Sequence, residues 1–158
     1  MMGMNEQIQN IKKVRLFLIE QIGSLTNEQL NKIPTGYTNN IIWNLTHLIS
    51  TQQTISYSRA GQQPIVPEKY IVPFSTNTIP DGIIDNKEIM QIKSLLTTSI
   101  DEFQTDYDDE RFENYTMSPN IRKVYGIEIK NINDALSFLL YHEGYHTGYI
   151  MSLRKLVD

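Results

Sequence analysis

Four segments of this chain repeat apolar side chains every three to four residues, and one connection between them is too long to be a bundle turn. The first, about 4–22, carries Ile8, Ile11, Leu16, Ile19 and Ile22. The second, about 39–59, with Thr38 or Asn39 as its N-cap, presents Asn40, Trp43, Asn44, His47, Leu48, Thr51 and Ile55. The third, about 86–106, carries Ile89, Ile92, Leu95, Leu96, Ile100 and Phe103. The fourth starts at Asn131 or Asn133, runs to about 156, and carries Leu136, Leu139, Leu140, Tyr145, Ile150 and Leu153. That period is helical, and striped helices bury their stripes against one another. Between the second and third lies Gly61 to Asn86, with Pro64, Pro67, Pro73 and Pro80. Antiparallel neighbours need only short loops, whereas a long crossover lets the third helix run parallel to the second. The expectation is an all-α, up-down-down-up four-helix bundle with a long crossover between helices 2 and 3. Thr26-Asn27-Glu28 starts a short turn reaching Leu30, and residues 107–130 read as irregular. Within them, Tyr125-Gly126-Ile127-Glu128-Ile129 alternates as a short strand would.

With 158 residues, 40% hydrophobic and 20% charged, the chain reads as one globular domain over 1–158. Its net charge is −4, and Lys12, Lys13 and Arg15 are offset by Glu6 and Glu20, so no basic face offers itself to nucleic acid. No cysteine is present, which excludes disulfides, thiolate ligands and a cysteine nucleophile. Residues 1–13 are polar and lack an apolar signal core, and no stretch reaches the roughly 18 apolar residues of a membrane span. The expected location is the cytoplasm.

The chain's three histidines all fall on apolar-flanked helical positions. His142 and His146, in His142-Glu143-Gly144-Tyr145-His146, stand one helical turn apart on one face, roughly 6 Å between Cβ atoms. Two imidazoles so placed can converge on one divalent transition ion, at about 2.0–2.1 Å from each nitrogen. His47, from the second helix, completes a facial triad that leaves coordination positions open. Glu143 points about 100° away from its neighbour and is not a fourth ligand. Two readings of it stay open: an acceptor for the N–H of a ligand imidazole from another helix, or a solvated or interhelical ion-pair partner. Trp43 reads as packing, Asn44 as packing or a contact to a ligand N–H, and Tyr145 and Tyr149 as core or interface. The run Asp106-Tyr107-Asp108-Asp109-Glu110 lacks the glycine and spacing of a calcium loop and reads as a solvated turn.

Ile42-Trp43…His47-Leu48 and His142-Glu143-Gly144-Tyr145-His146-Thr147-Gly148-Tyr149-Ile150 together resemble the DinB/YfiT-like superfamily, over nearly the whole chain. The resemblance implies a four-helix bundle with a three-histidine site for a divalent metal, zinc or nickel, at His47, His142 and His146, commonly in a homodimer. It also implies a small-molecule substrate and a low-molecular-weight thiol whose sulfur the metal activates, as in the superfamily's transferases and isomerases. The chain departs from its relatives at Tyr149, where glutamine is common.

The same residues satisfy His-Glu-x-x-His, the zincin pattern in which the glutamate is general base. The surroundings argue against a peptidase: after His146 neither a third histidine nor a glutamate follows. Three classes are carried forward: a metal-dependent thiol transferase acting on a small electrophile, a metallohydrolase using His142-Glu143-x-x-His146, and a non-catalytic metal-binding bundle. The crossover, with Tyr70 and Phe74, is expected to cover the site.

Overall fold

The computed structural model describes residues 5–157, and no strand occurs among them. The elements are α1 (Glu6–Gln21), α2 (Asn27–Asn31), α3 (Ile41–Gln52), α4 (Asn86–Asp108), α5 (Pro119–Tyr125) and α6 (Ile132–Val157), with short π and 3-10 turns after α3 and in the crossover.

Capping chemistry sets the starts. The Asn5 side chain accepts from the Gln7 and Ile8 N–H groups at the head of α1. Thr26 and Gln29 form a reciprocal capping box on α2, and Asp85 accepts from the Glu88 N–H on α4. On α3 the cap is Asn40, one residue beyond the positions expected, accepting from the Trp43 N–H. α3 continues without a break into a π turn, Gln53–Tyr57, and a 3-10 turn, Ser58–Ala60. It ends at Gly61, whose φ of 69° is the left-handed conformation a glycine takes most cheaply.

The structure corrects several sequence expectations. The stripe of α1 is Ile8, Ile11, Arg15 and Leu18, with Ile22 just beyond, and Leu16 lies half exposed on the outer side. The alternating segment 125–129 forms no strand. Pro119 at the first turn and Gly126 in the left-handed cap instead bound the short helix α5. The acidic run is also less solvated than expected: α4 extends through Asp108, and buried Asp106 accepts from the Tyr57 hydroxyl at 2.7 Å and from Arg111 at 2.7 Å.

α3 was expected to bury one face, yet every residue from Ile41 to Ser50 is buried. The crossover lies over its other side. The Ser50 hydroxyl donates to the Ile71 carbonyl, the Gln53 side chain accepts from the Ile65 N–H, and Tyr70 and Phe74 are buried.

The core falls into two apolar clusters. One gathers Leu18, Ile22, Leu45, Leu48, Ile92, Leu96, Ile150 and Leu153, among others. The second gathers Ile8, Ile11, Ile55, Tyr57, Ile100, Phe103, Leu136 and Leu139, among others. Side-chain bonds tie the long helices in pairs. Gln7 meets Ser137 and Gln21 meets Arg154; Lys12 meets Asp101; Gln52 meets the Ser99 carbonyl, and Tyr57 meets Asp106.

Candidate metal centre

His47, one turn after Asn44 on α3, faces His142 and His146 on α6. Ring centroids are 5.1 Å apart for His47–His142, 4.8 Å for His47–His146 and 4.4 Å for His142–His146. One ring nitrogen from each lies within 4.8 Å of those of the others, close enough for one ion to be reached by all three. The structure thus brings together the triad read from the sequence.

Hydrogen bonding prepares two of the rings. The His47 Nδ1 lies 2.6 Å from the Phe74 carbonyl oxygen, which can only accept, so Nδ1 carries the proton and Nε2 keeps its lone pair. His146 Nδ1 lies 2.8 Å from Asn44 Oδ1. The Asn44 amide is oriented by its nitrogen, which donates to Asn39 and to the Asn40 carbonyl. Its oxygen therefore accepts from His146 Nδ1–H and leaves Nε2 free. These are the contacts that orient a ligand imidazole and raise its basicity. His142 has a buried Nδ1 with no hydrogen-bond partner. A buried ring nitrogen left unpaired is costly, and ligation through that atom would satisfy it. The residues fit a divalent transition ion.

Protonation agrees. Burial, then the neighbouring imidazoles and Arg15, hold His142 down at about 2. Burial, then His47, holds His146 at about 3. Burial also lowers His47, against the Phe74 carbonyl, which raises it. Imidazole binds metal only when neutral, and all three are neutral at neutral pH. The Trp43 ring stacks on His47 at 4.8 Å and 11°, and its N–H donates to the Thr78 hydroxyl. It therefore packs, as expected, but against one of the three histidines.

Glu143 does not reach an imidazole. Its Oε1 accepts from Arg15 Nε at 3.0 Å and Nη2 at 2.6 Å, and both side chains are buried, with 1% and 0% exposed. Arg15 further donates to Gln52 on α3 and to the Leu48 and Leu96 carbonyls, so one guanidinium touches all four long helices. Burial pushes the Glu143 carboxyl up, and the Arg15 charge opposes that shift. Of the two readings of Glu143, the ion pair is the one present, buried rather than solvated. Arg15 escaped the sequence reading, although its place in the spacing 8, 11, 15, 18, 22 marks a charged residue on a core stripe.

The triad opens on a cleft of about 250 Å³. Its walls include Phe138, Tyr141 and Tyr145 of α6 and Ile121, Val124 and Tyr125 of α5, with Thr51 and Thr76 at the side. Tyr145 is therefore an exposed wall rather than core. Tyr149 lies elsewhere, partly buried and edge-on to Tyr37 at 5.9 Å. Of the crossover pair, Phe74 supplies the carbonyl that holds His47, whereas Tyr70 packs in the core and donates to Glu88. A larger hollow of about 520 Å³, between Tyr107, Phe112 and Ile132, has acidic residues but no histidine.

Among the described residues the protein is all-helical and brings three imidazoles to one point, a cluster that could hold a metal ion. The sequence profile of the DinB superfamily matches residues 15–150, and the chain belongs to that superfamily. No curated protein matches the chain significantly. No helix among the described residues is long and apolar enough to cross a membrane.

Proposed function

We propose that His47, His142 and His146 hold a divalent transition metal, zinc or nickel, and that the open side of the ion serves a small-molecule reaction, the transfer of a low-molecular-weight thiol to an electrophile. The observation that carries this reading is the convergence of three neutral ring nitrogens at the end of a cleft of about 250 Å³. A bound divalent ion there would lower the pKa of an incoming thiol. The chain's own residues do the rest. Phe74 and Asn44 fix the ring tautomers, Trp43 backs His47, and the α5 and α6 walls exclude water from one side of the ligand. No cysteine of the protein competes for the ion.

The metallohydrolase reading loses support from Glu143, the base it requires, because that carboxylate is buried against Arg15. An up-down-down-up order of α1, α3, α4 and α6 goes with this proposal. It is supported by the pairings 7–137 and 21–154, which run α1 and α6 the same way, and by 52–99 and 57–106, which do so for α3 and α4. The pairs 9–104 and 12–101 oppose α1 to α4.

Elemental analysis of mildly purified protein tests the site: near-stoichiometric transition metal is expected, with loss in His142→Ala. Turnover of a generic electrophile with a panel of thiols, in loaded and stripped protein, tests the reaction. Metal retained in a His47→Ala, His142→Ala double variant would refute the site. Metal without any turnover would leave a non-catalytic binding bundle.

A further inference from the structure

The cleft carries information about what it admits. No lysine, arginine, aspartate or glutamate is among the residues lining it. Arg122 and Lys123, the cations of α5, stand outside it, and Arg122 lies 3.4 Å from Glu128. The long walls are aromatic. Tyr125 tilts on Phe138 at 6.0 Å and meets Tyr141 edge-on at 6.3 Å, while Phe138 stacks on His142 at 6.0 Å. Tyr125, Tyr141 and Tyr145 each keep more than half of their surface in solvent, and Val124 keeps 70%. Large apolar side chains left open beside a converging set of ligand atoms are the usual dress of a binding site.

We infer that the portion of the substrate lying beyond the metal is an uncharged, flat apolar group, a benzene-sized ring or its equivalent, and that the cleft discriminates against substrates carrying a carboxylate there. The inference rests on the proposed metal centre being the reacting end of this cleft.

Size and electrostatics agree on it. An apolar cavity of about 150 Å³ suffices for benzene, so about 250 Å³ holds a ring with a short arm toward the histidines. Aromatic walls favour tilted or offset stacking on such a ring. A carboxylate at the ring's far end would sit among the more than half-exposed Val124, Tyr125, Tyr141 and Tyr145 with no cation to pair it, so the part of its hydration displaced by those walls is not compensated. A metal at the histidines would contact an anion directly only at the opposite end, and its attraction across the cleft is weakened by distance and by the solvent at the walls.

The test uses two thiols that present the same sulfur and differ only at the far end, phenylmethanethiol and 4-(mercaptomethyl)benzoate. In cobalt-substituted protein, titration followed by the visible spectrum should give at least ten-fold tighter binding of the uncharged thiol. Val124→Lys, a change at an exposed wall position, should cut that ratio to below three-fold. Equal affinities in the unaltered protein, or tighter binding of the acid, would overturn the inference. If neither thiol alters the cobalt spectrum, the thiol chemistry of the proposed function fails, and the cleft is then judged separately. Metal-free protein is titrated with benzyl alcohol and 4-(hydroxymethyl)benzoate, read by the emission of Trp43, the single tryptophan. A ten-fold preference for the alcohol sustains the inference, and no preference overturns it.

Discussion

Replacing Glu143 by glutamine should destabilise the protein far more than its near-isosteric shape suggests. Arg15 is fully buried and its charge is balanced only by Glu143, at 2.6 Å. Glutamine still offers an oxygen to the guanidinium but leaves a cation buried without a counter-charge. Removing one partner of a buried pair costs about 3–5 kcal/mol, a large share of the roughly 5–15 kcal/mol that holds a domain together. Arg15→Met should cost a similar amount by stranding the carboxylate. The double variant Arg15→Met, Glu143→Met removes both charges at once. Gln52 Oε1 would lose the Arg15 donor but keep the Ser99 hydroxyl at 3.1 Å, so no new unpaired acceptor appears there. Its total cost should therefore fall to about 1–2 kcal/mol, in line with buried pairs being replaceable by apolar groups. Urea denaturation of the metal-free proteins, analysed as a double-mutant cycle, measures this directly. Single variants losing less than about 1 kcal/mol, or costs that simply add, would refute the view of Arg15–Glu143 as an ionised pair closed off from water.

Two further outcomes follow from the site. Asn44→Ala removes the acceptor that orients His146, and should weaken zinc binding about 10–100-fold, with Asn44→Asp restoring much of it; competition with a chromophoric chelator reads both. Burial holds His142 near 2 and His146 near 3, whereas both titrate near 6.5 when unfolded. The unfolded chain therefore takes up protons below pH 6.5 that the folded one refuses. Stability of the metal-free protein is full above that pH and falls below it, by ~1.4 kcal/mol per unit for each histidine. Thermal melts between pH 7.5 and 5 should show this decline, shallower in His142→Gln; an unchanged slope in that variant would count against it.

The triad was legible because coordination imposes a spacing: an i, i+4 pair plus one distant histidine leaves few arrangements. The helices were legible for the same reason, since their stripes repeat along the chain. What stayed hidden depended on neighbours distant in sequence. Arg15 sits in step with Ile8, Ile11 and Leu18, but only the facing Glu143 makes its burial tolerable. α3 reads as one-sided until the crossover covers it. α5 is too short for a periodic signal, and only Pro119 and Gly126 mark its ends, so a wall of the cleft went unseen. The alternation at 125–129 had the local pattern of a strand and, among the described residues, no second strand to pair with.

The polar layer of Arg15, Gln52, Ser99 and Glu143 lies where the two apolar clusters meet, and Ile65 packs against both of them. The interior is therefore two packing problems divided by a partition. Substitutions at Phe103 or Phe112 on one side and at Ile92 or Leu153 on the other share few partners, so their energetic effects should add. Drift can proceed at the two ends of such a bundle independently. Within the partition the opposite holds: Arg15, Gln52, Ser99 and Glu143 share one hydrogen-bond network, so the effects of changing them should not add.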